Sequence, residues 1–176
     1  IERILNEWQN VKDSGAAGLV GLDVDQNGDL IGKILPDSEL INAASLLCVP
    51  GMGDKKYVVR NDLLRTVAPM PVFAGEKNFN PHYLIIKLSR QYRFHPVNQC
   101  FCLVEYQPDG MTANIWKQYI NSPRSFAELR RAIMDVPGLT WQYRLKNIIH
   151  YCSSSQIAGN RNYIKESPRK LLTALC

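Results

Sequence analysis

GLVGLDVDQNGDLIGKIL, residues 18–35, decides between an all-helical and a mixed fold. Its two β-rich runs, 18–25 and 29–35, flank Gln26-Asn27-Gly28. Asn-Gly between apolar runs is a strong hairpin signal, because both residues tolerate positive φ. The spacing Asp23, Asp25, Asn27, Gly28 resembles the first half of a calcium-binding EF-hand loop. Such a loop needs a bidentate carboxylate at its twelfth position, and Ile34 stands there. The hairpin is therefore the reading adopted, with Asp23–Asp29 as an acidic tip.

Working outward, Ile1, Ile4, Leu5, Trp8 and Val11 recur at helical spacing and predict an amphipathic helix stopped at Ser14-Gly15. Asp37 or Ser38 is expected to cap a second helix that buries Leu40, Ile41, Ala44 and Leu47. Tyr57–Val59 reads as a short strand, and Asn61 or Asp62 opens a helical turn through Val67. Residues 68–81, APMPVFAGEKNFNP, carry three prolines and no period; they read as a long loop, or a break between subdomains. Tyr83–Leu88 is a continuous apolar run, taken as a central strand. Cys100–Tyr106 and Met111–Trp116 flank Gln107-Pro108-Asp109-Gly110 and predict a second hairpin.

From residue 122 onward the pattern is helical. Ser125 and Glu128 match a capping box. Pro137-Gly138 breaks that helix, and Thr140 caps another that buries Trp141, Leu145, Ile148 and Ile149. Ser167-Pro168 opens a last short helix. Strands grouped away from helices give an α+β fold: two β-hairpins plus a central strand, flanking helices and a helical C-terminal third. The expected organisation is a single domain, residues 1–176, with a possible break near 68–81. Because the chain begins at Ile1, we expect a piece cut from a longer protein.

Charge is uneven along the chain. Residues 1–50 hold three basic and eight acidic side chains; the remainder holds eighteen basic and eight acidic. A basic region attracts anionic partners by Coulomb steering and counterion release. The segment Arg90-Gln91-Tyr92-Arg93-Phe94-His95 interleaves guanidinium groups with aromatic rings, as does Lys55-Lys56-Tyr57 with Arg60. Cationic groups grip phosphates while aromatic faces stack on unpaired bases. The candidate site is therefore Lys55, Lys56, Arg60, Arg90 and Arg93 for phosphates, with Tyr57, Tyr92 and Phe94 for bases. Trp141, Tyr143, Arg144 and Lys146 extend it.

Other chemistries find less support. Cys100-x-Cys102 with His82 and His95 is a poor zinc clamp, because Cys-x-Cys on a strand lacks the tight turn of a zinc knuckle. Residues 51–53 lack the Gly-Lys-Ser/Thr ending of a phosphate-binding loop. His150 and Cys152 sit too close along a helix to face each other. Five cysteines at irregular spacing suit reduced thiols in a cytoplasmic or nuclear setting. No apolar run approaches the ~18 residues of a membrane span.

The lead expectation is a non-catalytic binding module of a larger intracellular or viral protein, without a cofactor. It would contact single-stranded nucleic acid, RNA in preference. A protein-interaction or self-associating domain, docking on other parts of its parent chain or on a second copy, is the alternative. A thiol- or metal-dependent hydrolase comes third.

Overall fold

The computed structural model describes residues 1–105, 107 and 114–176. The architecture is mixed α+β, with a three-stranded sheet, flanking helices and a run of C-terminal helices. The chain divides into two compact units: residues 1–68 with 91–106, and residues 69–90 with 107–176.

The first unit is built on β1 (Gly18–Val24), whose residues 18–23 are all buried. A strand apolar on both faces belongs in the middle of a sheet. β1 pairs antiparallel with β2 (Lys55–Val59), Leu19 facing Val58. On its other edge it pairs parallel with β3 (His95–Leu103), Leu19 facing His95. Phe101 packs flat over Gly21, where an added Cβ would lie 2.2 Å from the ring.

With both edges of β1 taken, the hairpin expected at 18–35 forms only its turn. Asp25 Oδ1 accepts from the Asn27 and Asp29 amides at 2.8 and 2.9 Å. One bridge, Val24 to Leu30, follows. The chain then turns away at Gly32, which has φ +83° and abuts the Met52–Gly53 backbone. Ile34 is left 66% exposed.

The first helix, α1 (Glu2–Val11), spans the expected residues, yet buries none of them. The second expected helix is replaced by a 3-10 turn, Ala43–Cys48, capped by Asn42. Ile41 is extended, because it exchanges two backbone hydrogen bonds with Phe94. α2 (Asn61–Val67) follows β2 as read from the sequence.

In the second unit, Tyr83–Leu88 is helix, not strand: α3 (His82–Leu88). A short apolar run cannot be typed by periodicity alone. The deciding signal is Asn80-Pro81, where Asn80 Oδ1 accepts from the His82 amide at 2.9 Å. Of the second expected hairpin, Tyr106 and residues 108–113, which hold all of its turn but Gln107, lie outside the described residues. Ile115 and Trp116, expected on its return strand, begin α4 (Ile115–Asn121).

α5 (Pro123–Met134) and α6 (Trp141–Ile157) pack around Ala127, Met134, Ile148, Tyr151 and Cys152. Thr140 caps α6 as expected, whereas Trp141 and Ile149 are exposed. α7 (Tyr163–Glu166) and α8 (Lys170–Ala174) complete the unit.

Ser125 is no cap. It lies within the first turn of α5, and its amide and hydroxyl donate to Glu76 at 2.8 and 2.6 Å. Glu76 also accepts from the Arg124 amide and Nε. A carboxylate from the irregular 68–81 segment thus satisfies the free amides of α5 and complements its dipole. Burial opposes ionisation of Glu76, but the Ser125 and Arg124 hydrogen bonds outweigh it and hold the carboxyl below its ordinary value of 4.5.

A depressed folded-state value means stability that is present above the unfolded value and lost as pH falls through the folded one. Urea unfolding should therefore show a loss of stability beginning near pH 4.5. Glu76→Gln should lower stability at neutral pH by about 1–3 kcal/mol and flatten that acid limb.

Candidate functional site

The residues expected to bind phosphates and bases divide between the two units. Arg90 belongs to the second; Lys55, Lys56, Tyr57, Arg60, Tyr92, Arg93 and Phe94 belong to the first. Most are engaged in holding the fold. Phe94 is fully buried, bridged to Ile41 and edge-on to Tyr57 at 6.0 Å. Burial, with Asp23 and Asp54 nearby, pushes the Tyr57 hydroxyl well above its ordinary value.

Lys55 is 6% exposed. Its Nζ donates to the carbonyls of Met52, Ile31 and Asp54 at 2.5, 3.0 and 3.1 Å. The ammonium ties the loop before β2 to the segment leaving the Asp25 turn. Burial pulls its pKa below the ordinary value, and Asp23 and Asp54 oppose that fall. Each hydrogen bond from a charged group contributes about 1.5–3 kcal/mol, so withdrawing Lys55 towards a phosphate would forfeit several.

Arg60 grips Asp62 through Nε and Nη2 at 3.2 and 2.7 Å. Arg90 donates to Asp135 and to the Ala132 carbonyl, both at 3.2 Å. Arg93 donates to the carbonyl of Tyr92, and both side chains are half-buried. Lys56 is exposed.

The division into units re-sorts the charge. The first unit carries eight basic and eleven acidic side chains, a net −3; the second carries thirteen and five, a net +8. Most of the expected site thus lies on the acidic unit.

Within the basic unit the described carboxylates are engaged. Glu76 holds Arg124, Glu128 holds Arg131, Asp135 holds Arg90, and Glu166 accepts from Asn160. Lys117 and Lys146 are exposed, with no carboxylate in ion-pair range among the described residues. Trp116 and Trp141 are 79% and 67% exposed.

α4, α5 and α6 together carry an aromatic cluster that sequence reading missed. Tyr119 stacks on Phe126 at 4.1 Å and on His150 at 6.0 Å, and Trp116 lies 6.1 Å from Tyr119. Its signal was the helical spacing of Trp116, Tyr119 and Ile120, hidden by assigning Trp116 to a strand.

Groups needed for thiol or metal chemistry are placed elsewhere. Cys152 is buried, its thiol directed at the Thr173 carbonyl. Burial and then the Cys176 thiol push it up to about 11, away from a nucleophilic thiolate. Cys100 and Cys102 point their thiols at nearby carbonyls, and His95 Nδ1 lies 2.8 Å from the Glu39 carbonyl. Among the described residues no three His, Cys, Asp or Glu side chains gather to hold a metal ion. No described helix is long and apolar enough to cross a membrane.

Replacing Lys55 by methionine removes the donor its ammonium supplies to the Met52, Ile31 and Asp54 carbonyls and takes away a positive charge that Asp23 and Asp54 favour. Lys55→Met should cost about 2–4 kcal/mol in urea unfolding. An unchanged midpoint would show that the ammonium is not structural.

Comparison with protein families, curated proteins and solved structures found no match to this chain.

Proposed function

We propose that the chain is a non-catalytic binding module that holds single-stranded nucleic acid, RNA in preference, on its helical unit. The observation that carries this reading is the +8 charge of that unit beside exposed Trp116 and Trp141. A polyanion gains most where lysines keep no carboxylate and counterions are released on contact. Exposed indoles offer flat faces to bases that are not stacked in a duplex. Relative to the site read from sequence, the interface moves from residues 55–60 and 90–94 to the C-terminal helices. Five free thiols support a reducing compartment, cytoplasmic or nuclear.

A second reading has its own support. Ile120, Ile149, Leu171 and Leu175 are 66, 52, 84 and 84% exposed, which suits docking on a protein partner, another domain of a parent chain or a second copy. Light-scattering mass across a concentration series separates self-association from a monomer.

Titration with a labelled oligouridylate at about 50 mM and about 200 mM salt tests the first reading. Micromolar binding at the lower salt is expected, weakening steeply at the higher, with quenched tryptophan fluorescence. Absence of binding at the lower salt would contradict it.

A further inference from the structure

We infer that one unpaired base stacks on the face shared by α4 and the middle of α6, with Trp116 as its platform. The inference deepens the nucleic-acid reading and rests on it. The platform is anchored from below. Phe126, 7% exposed, supports Tyr119 at a ring separation of 4.1 Å and an interplanar angle of 28°. Tyr119 in turn carries His150 nearly parallel at 21° and Trp116 tilted at 42°. Trp116 stands 79% exposed at the outer end of this series.

One cation, Arg130, is fixed against this series of rings by two hydrogen bonds. Arg130 donates through Nη2 to the Tyr119 hydroxyl at 2.6 Å and through Nη1 to Asn147 Oδ1 at 3.0 Å. Asn147 is fully buried and is itself held by the Tyr143 carbonyl at 2.7 Å. Arg130 therefore keeps its full charge against two neutral partners. Lys146, one turn before His150 on α6, lies on the same side of that helix. Lys117, the next residue along α4, is exposed. Burial, with Arg130 and Lys146 nearby, holds the His150 imidazole below its ordinary value. Near neutral pH it is then an uncharged ring, suited to stacking.

Charge alone would suit an acidic peptide equally. The rings favour a base: an aromatic platform adds affinity for a planar ligand and little for a glutamate chain.

The test uses the whole chain and a labelled twelve-residue oligouridylate, with polyglutamate as competitor. Trp116→Ala removes an exposed ring, and an unchanged thermal midpoint confirms folding. It should weaken oligouridylate binding about tenfold, with Trp116→Phe retaining most of the affinity. Lys146→Glu should also weaken binding and reduce the salt slope by about one or two ions. Lys12→Glu, an equal charge change in the acidic unit, should have little effect. If the wild type binds and Trp116→Ala binds equally, the stacking site is refuted while the nucleic-acid reading stands. If polyglutamate displaces the oligomer at equal charge concentration, the platform reads charge alone and the inference fails. If the wild type does not bind, the reading fails and the inference with it.

Discussion

A β-strand has two edges, and β1 fills both with segments far from it in sequence. β2 begins more than thirty residues after β1 begins, and β3 more than seventy. The parallel pairing with β3 demands a crossover, because parallel neighbours cannot be joined by a tight turn. The crossover here contains residues 69–90, which belong to the other compact unit. The backbone therefore leaves the first unit after 68, returns at 91 to form β3, and leaves again after 106. The same constraint reduces the expected hairpin at Asn27-Gly28 to a turn and one bridge. With no edge left, the segment after Leu30 is held by the buried ammonium of Lys55.

That interleaving governs where charge ends up. Read in chain order, the acidic first fifty residues precede a basic remainder. Read by unit, Lys55, Lys56, Arg60 and Arg93 join an acidic body, while the basic helices form a body of their own. Burial then separates cations by task. Lys55 satisfies carbonyls, Arg60 and Arg90 satisfy carboxylates, and Lys117 and Lys146 keep their charge for solvent. A surface field follows from the last group and not from the first two.

Local chemistry made part of the fold legible. The turn at Asn27-Gly28, the cap at Thr140 and the break at Pro137-Gly138 depend on residues within a few positions of each other, and each was readable. Choices made by distant partners were not. The Tyr83–Leu88 run is a separate case: its strand-like composition masks the local helix signal at Asn80-Pro81. Ser125 matched a capping box, yet its partner is Glu76, forty-nine residues away. Of the candidate site, the sequence shows cations and aromatic rings close together in the chain. Which of them stay at the surface it does not show, because Phe94 and Lys55 are drawn inward by contacts that no spacing rule reveals.

The proposal that a polyanion sits on the helical unit is read directly by photocrosslinking. A 4-thiouridine oligomer irradiated on the whole chain, then digested and mapped by mass spectrometry, reports the residues it touches. Adducts concentrated within residues 114–176, with Trp116 foremost, are the expected result. Adducts concentrated at 55–60 and 92–94 would contradict it.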